Sequence, residues 1–255
     1  MGAVLEVVDL EKSFLKDEKR IVALRGFSLE VVEGSFVTIL GRSGCGKTTL
    51  LNIMAGLLAR SSGQVAYRGQ PVTGPRTEIA YLTQHDTLMP WRDVQRNVEM
   101  PLEMRGVRRA ERRRIARNLI ETVGLAGFER HYPRELSGGM RRRAGLARML
   151  STEPETFLLD EPFGALDAQL RTELQAELLR LWHGSGKTVV FITHDLEEAL
   201  LLGDRVVVLG PVGRILLDEQ IGLPRPREDP ENIRLDSAFI ALYGRVSSAL
   251  KEGAR

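Results

Sequence analysis

Cysteine is almost absent: Cys45 is the only one in 255 residues. An internal disulfide and a cysteine-rich zinc site are therefore excluded, and a reducing compartment, the cytoplasm, is expected. An excess of one charge sign is also lacking. With 36 basic and 34 acidic residues the formal net charge is +2, which does not point to nucleic acid as the principal partner. Long apolar runs are missing too. Stretches such as residues 206–209 fall far short of the roughly 20 residues needed to cross a bilayer, so if the protein works at a membrane, another chain does the crossing. The start, Met1-Gly2-Ala3-Val4-Leu5-Glu6, has no basic region followed by an apolar stretch, and no secretory signal is expected. No internal repeat or low-complexity tract is present. What remains, 43% hydrophobic against 27% charged residues, is the balance of a folded globular chain rather than a disordered one.

Alternating patterns dominate what is there. Residues 35–40 form a short apolar run ending in glycine, and residues 47–58 then carry apolar side chains at helical spacing, which reads as strand, tight loop, helix. The same alternation returns in residues 156–160 (strand), 167–182 (helix) and 188–193 (strand). Strands alternating with helices predict a parallel α/β sheet. Residues 102–134 are charged and helix-forming, broken near Gly124-Leu125-Ala126-Gly127, and read as an inserted helical lobe whose limits are about 88–153. Breakers at Pro224-Arg225-Pro226-Arg227 and Asp229-Pro230 mark a C-terminal tail, residues 223–255, with an amphipathic stretch at 237–250. The main domain is then 1–222.

Gly41-Arg42-Ser43-Gly44-Cys45-Gly46-Lys47-Thr48 fits the phosphate-loop pattern at every defined position and stands between a strand and a helix. Glycines let the backbone curl so that N–H groups of Gly41, Ser43, Gly44, Cys45, Gly46 and the helix start through Thr49 point at phosphate oxygens, aided by the helix dipole. Lys47 would reach the β- and γ-phosphates, and the Thr48 hydroxyl would ligate Mg²⁺, a hard cation that prefers oxygen. The loop alone says only nucleotide, since kinases, GTPases and motors share it. Two acids, Asp160 and Glu161, directly follow the apolar strand at 156–160, where a parallel sheet meets its ligand. Asp160 suits Mg²⁺ held through its water shell, and Glu161 suits a general base for water attacking the γ-phosphorus.

Leu136-Ser137-Gly138-Gly139-Met140 resembles the signature motif of the ABC ATPase family. A serine and two glycines opening a helix make a second anion site. The resemblance covers roughly residues 4–218 and implies an ABC ATPase fold: a P-loop core with a parallel sheet, an N-terminal antiparallel β portion and the inserted α-helical lobe. It implies that Phe14 stacks on adenine, that Gln84 touches Mg²⁺ and senses the γ-phosphate, that Ala165-Leu166-Asp167 crosses the dimer interface, and that His194 contacts the γ-phosphate. ATP and Mg²⁺ would be the cofactors. In the family the signature of one subunit closes over the ATP held by the other, so a head-to-tail homodimer on the cytoplasmic face of the membrane is implied. Its partners would be integral-membrane permease subunits and, indirectly, a solute-binding protein. Met140 departs from the glutamine common in the family. With Leu88-Met89-Pro90-Trp91 and Asp195-Leu196-Glu197-Glu198-Ala199-Leu200, the signature looks most like the ATPases of nitrate, sulfonate and taurine importers.

Two readings stay open beside transport: a soluble ABC ATPase in a non-transport role such as a cluster-assembly scaffold, and a small-molecule kinase, for which the signature provides no acceptor site. The basic stretch at 105–117 reads as a solvated helix face near anionic headgroups or a membrane subunit, because no aromatic residues interleave to stack on bases. Arg141-Arg142-Arg143 is expected to add positive charge behind the signature phosphate. Cys45 reads as a small filler in the loop.

Overall fold

Phe36–Gly41, Thr156–Asp160 and Thr188–Thr193 are buried at every position rather than at alternate ones, the mark of strands covered on both faces. The computed structural model describes residues 2–253 except Glu18, His85, Asp86, Ala165, Glu228 and Asp229. The Ala165 part of the interface-loop expectation and the Asp229 breaker therefore lie outside the described residues. In chain order the elements are strands β1 (Ala3–Lys16), β2 (Lys19–Val32) and β3 (Phe36–Gly41), helix α1 (Lys47–Met54), and strands β4 (Ser62–Tyr67), β5 (Gln70–Pro71) and β6 (Ile79–Leu82). Helices α2 (Val94–Met104), α3 (Arg109–Thr122) and α4 (Gly138–Leu150) follow. The chain continues with β7 (Thr156–Asp160), α5 (Ala168–Trp182), β8 (Thr188–Thr193), α6 (Leu196–Leu202), β9 (Arg205–Leu209), β10 (Ile215–Gln220), α7 (Pro230–Leu235) and α8 (Ser237–Glu252).

Two sheets result. A six-stranded sheet has the order β10-β9-β3-β8-β7-β6, parallel from β9 to β6 with β10 antiparallel at its edge. A four-stranded antiparallel sheet has the order β2-β1-β4-β5. In β8 the period-2 alternation sends Val189 and Phe191 into one apolar cluster with Trp182 and Phe163, and Val190 and Ile192 into another with Leu50, Val65 and Tyr67. The second cluster joins the two sheets, with α1 packed between them.

Between β6 and β7 the described residues contain three α-helices and no strand. Val98, Ile120 and Ala147 of α2, α3 and α4 share the cluster on which Phe157 and Phe191 of the main sheet also pack, so the lobe is held to the sheet by one core. The lobe breaks at two places, not only at Gly124 as the sequence suggested. Gly106 at φ +73 ends α2, and Gly124 at φ +65 follows α3, a conformation that side chains other than glycine rarely adopt. Helix α1 also stops at Met54, short of the expected residue 58, with Gly56 at φ +72.

The C-terminal stretch is built into the core of the main domain. Phe239, Leu242, Val246 and Ala249 of α8 are buried with Leu200 of α6 and Val208 of β9. Ahead of it, buried Arg227 donates to the carbonyls of Leu200, Leu201 and Gly203 at 3.0, 3.1 and 2.6 Å. It thereby closes the carbonyl end of α6, where a cation is favoured. Phe239→Ala is expected to cost about 3–5 kcal/mol through the cavity it leaves, measured as a lower urea midpoint. An unchanged midpoint would mean that α8 does not contribute to the cooperative fold.

Candidate nucleotide site

β3, β8, β7 and β6 are parallel neighbours, so the loops leaving their C-terminal ends emerge at one edge of the sheet, where such sheets bind ligands. That topology gathers the phosphate loop after β3, Glu161 after β7, His194 after β8 and Gln84 just beyond β6. Ala23, Ser43, Gly44, Gly46, Lys47, Thr48, Thr49, Gln84 and Glu161 line a cavity of about 230 Å³. Its floor is the start of α1. The cap of that helix is Gly46, which has no side chain to offer the first-turn N–H groups, leaving them for an anion. Gly46 has φ +106, and a Cβ there would lie 2.6 Å from the Ala23 carbonyl oxygen, so both backbone and neighbour demand glycine. Lys47 is buried, its Nζ donating to the carbonyls of Gly41 and Arg42 at 2.7 and 3.0 Å.

The two acids after β7 differ in surroundings. Asp160 is 1% exposed and its Oδ2 has no hydrogen-bond partner among the described residues. Burial pushes its carboxyl above the usual carboxylate range, opposed by a hydrogen bond from Thr48; the Glu161 charge pushes it further up, while Lys47 and Arg142 pull it down. An orphaned, buried carboxylate oxygen beside a threonine hydroxyl is an all-oxygen donor set suited to Mg²⁺. Glu161 has φ +46, a strained conformation for a non-glycine residue of the kind that clusters at functional sites. Its amide donates to the Ile192 carbonyl at 3.0 Å, and its Oε2 lies 3.1 Å from His194 Nδ1. The side chain is thus fixed from both ends at the cavity wall.

The remaining candidates are not on that wall. Phe14 sits on β1 opposite Ile21, partly exposed, with the Lys12 ammonium 4.9 Å from its ring centroid; its hairpin partner β2 contributes Ala23 instead. Gly41 and Cys45 pack behind the loop, where a Cβ on Gly41 would meet Cys45 Sγ at 2.8 Å. Burial pushes the Cys45 thiol up, with Lys47 opposing. Ser137, Gly138 and Gly139 open α4, with Ser137 and Gly138 exposed. Ser137 Oγ accepts from the Met140 amide at 3.2 Å, which keeps its own proton free to donate. The Met140 side chain packs on the core cluster, so the departure from glutamine leaves this cap intact. Asp167 caps α5, accepting from the Leu170 amide at 3.0 Å.

The arginine triplet behaves differently from its expected role. Arg142 donates to the carbonyls of Asp160, Glu161 and Pro162 at 2.6, 2.9 and 2.9 Å and to that of Thr83. Arg143 donates to Val123 and Gly124 at 3.1 and 2.7 Å, and Arg141 to Leu136 at 2.7 Å. These guanidinium groups grip backbone of their own chain. Sequence reading also missed Tyr81, whose buried hydroxyl has no hydrogen-bond partner among the described residues. Burial first, and then the Asp160 charge, push that hydroxyl up.

The ABC transporter family model matches residues 24–164. An ABC transporter ATP-binding protein of Methanocaldococcus jannaschii is 46% identical over 253 residues, covering 99% of this chain and 93% of that protein. The taurine import ATP-binding protein of Yersinia pseudotuberculosis is 48% identical over 189 residues, 74% of each chain. Its namesake in Escherichia coli is 42% identical over 236 residues, covering 90% and 92%. A dimeric ATP-binding cassette solved in a post-hydrolysis state with ADP and Pi superposes with a TM-score of 0.79 at 31% identity, over 86% of this chain and all of that one. With its phosphate loop, acid pair, signature helix and inserted lobe in the expected order, this chain belongs to the ABC transporter family, as an ATP-binding cassette.

Proposed function

We propose that the chain hydrolyses ATP as one of two identical cassettes arranged head to tail, and that their closure and reopening drive uptake of a small anionic solute, of the taurine, sulfonate or nitrate kind, through membrane-embedded permease subunits. One observation supports the pairing: helices α1 and α4 both open on glycines, and of these two starts the first lines the phosphate-loop cavity while the second does not. In a two-fold dimer each surface patch meets its complement twice, so Ser137 to Gly139 of each chain would close the cavity of the other. The solute class rests on the taurine import proteins, which are 42% and 48% identical.

Each residue then has a distinct task. The α1 amides and Lys47 hold the β- and γ-phosphates, and Lys47 exchanges its loop carbonyls for phosphate oxygens. Phe14 offers a face for adenine stacking. Mg²⁺ would be held by Thr48, Asp160 and Gln84, and would offset charge on the phosphate oxygens. Glu161 takes the proton from the attacking water, while His194 orients the Glu161 carboxylate and reaches toward the γ-phosphate. Asp167 stands at the start of α5 as the interface contact. The permease would seat in a groove of about 410 Å³ on the lobe, between Trp91 and Arg92 on one side and Arg109, Arg112 and Arg113 of α3 on the other. Trp91 is 69% exposed, an aromatic anchor of the type that dominates interfaces. Part of the basic stretch is already satisfied there, since Arg112 pairs with Glu99 and Glu103 and Arg114 with Glu111.

Mixing two inactive variants tests the pairing. Lys47→Ala damages the loop and Ser137→Arg the signature, so neither alone should hydrolyse ATP. In a mixed head-to-tail dimer one composite site carries both defects and the other carries none. Turnover should therefore return on mixing; a mixture as inactive as its components would refute the shared site. Uptake of taurine by vesicles holding the cassette and its permease, competed by other sulfonates but not by an uncharged solute, would support the solute class. Indifference to sulfonates would remove it.

A further inference from the structure

Arg142 is a buried cation on the signature helix that does not line the nucleotide cavity. Its guanidinium instead spans three separate parts of the chain. Nε donates to the Pro162 carbonyl at 2.9 Å, and Nη2 to those of Asp160 and Glu161 at 2.6 and 2.9 Å. Nη1 donates to the Thr83 carbonyl, next to Gln84. Farther along the same helix Arg148 donates to the Thr87 carbonyl at 2.8 Å and to its hydroxyl. Helix α4 thus holds the Gln84 segment at both flanks and the Asp160–Glu161 backbone at its centre.

A planar fork of five donors is suited to several carbonyls at once, and a buried guanidinium that lost them would be strongly disfavoured. The three parts are therefore expected to shift together rather than separately. The N-terminal end of α4 is capped by Ser137, only five residues from Arg142, and a helix transmits displacement as a rigid element. We propose that Arg142 is a positioning residue that transmits engagement of the signature end of α4 to Gln84 and Glu161 of the same chain. In the paired cassettes, binding at one ATP site then sets the hydrolytic geometry of the other. This relay rests on the head-to-tail pairing proposed above.

Arg142→Lys keeps the charge but not the fork, and Arg142→Gln keeps a short donor without the charge. Each full-length variant is examined by thermal unfolding, by binding of a fluorescent ATP analogue, and by the ATP-concentration dependence of hydrolysis. Nucleotide binding should stay near that of the unmodified protein. Maximal turnover should fall by about 5- to 150-fold, the usual span of a coupling between sites, and the Hill coefficient should move from above one toward one. The lysine variant should regain part of the turnover that the glutamine variant loses. If the unmodified protein shows neither ATP-driven pairing nor a Hill coefficient above one, the pairing itself is wrong and the relay falls with it. With pairing intact, a folded variant that keeps both turnover and Hill coefficient overturns the relay alone. Binding and turnover that decline in step, or failure of both variants to fold, would assign Arg142 to structure only and overturn it equally.

Discussion

Glu161→Gln is expected to lower ATP turnover by about 10²- to 10⁴-fold, the range that a positioned general base contributes, while leaving ATP bound and the cassettes paired. The substitution preserves volume and the contact with His194, whose Nδ1 lies 3.1 Å from Glu161 Oε2. It also preserves the backbone at φ +46 and the hydrogen bond that the Glu161 amide donates to the Ile192 carbonyl, because neither depends on the carboxylate. What it removes is the basic carboxylate that would accept the water proton: the amide oxygen can still accept a hydrogen bond but not the proton. A loss of that size corresponds to about 3–5 kcal/mol of transition-state stabilisation, too much for a surface carboxylate and appropriate to a base held at the wall of the cavity. Stopped before hydrolysis, the paired form should accumulate with ATP and Mg²⁺, visible as a doubling of mass in light scattering. Turnover above about a tenth of the unmodified rate would move the base elsewhere. His194→Ala should lose less, because the histidine is exposed and acts on Glu161 rather than on water directly.

The contrast between Glu161 and Arg142 shows what a sequence discloses and what it withholds. The phosphate loop, the acid pair and His194 are each local: the candidate residues lie at a strand's last position or within the next seven, so strand recognition suffices to place them. Residues 156–160 and 188–193 were legible as strands because burial on both faces leaves a continuous apolar run. Arg142 acts on carbonyls 18 to 59 residues away, and nothing in a basic triplet says which tertiary partners it will meet. Its advance signal is helical spacing, which puts Arg142 on the same buried face as Gly145, Leu146 and Met149. Phe14 marks the opposite case. The motif supplied an aromatic at the right place in the chain, yet the fold sets it on a partly exposed strand under Lys12, and Ala23 from the neighbouring strand lines the cavity. The amphipathic pattern at 237–250 announced a helix but not its receiving surface, because β9 and α6 lie far off in sequence.

Asp160→Asn is expected to abolish hydrolysis and at the same time make the nucleotide-free chain more stable. The carboxylate is almost fully buried, and one oxygen has no partner among the described residues; an unsatisfied buried group of this kind costs about 1–3 kcal/mol. Its carboxyl stands above the ordinary carboxylate value, chiefly through burial. The folded state therefore binds the proton more readily than the unfolded one. Between the ordinary and the raised value, stability falls as pH rises, and above the raised value the full penalty applies. At neutral pH the asparagine variant should accordingly unfold at a higher temperature or urea concentration. Its advantage should shrink as pH is lowered through that window, because protonation removes the same charge from the unmodified chain. With ATP and Mg²⁺ present the order should narrow or invert. Ligand that binds only the folded state adds about 2.7 kcal/mol at a hundredfold excess over Kd, and the variant, lacking the carboxylate beside Thr48, should gain less. Hydrolysis should fall at least about 100-fold, in keeping with loss of charge stabilisation at a transferring phosphoryl group. An asparagine variant no more stable than the parent at neutral pH would show that the carboxylate is already compensated, and that Asp160 is not held in readiness for a cation.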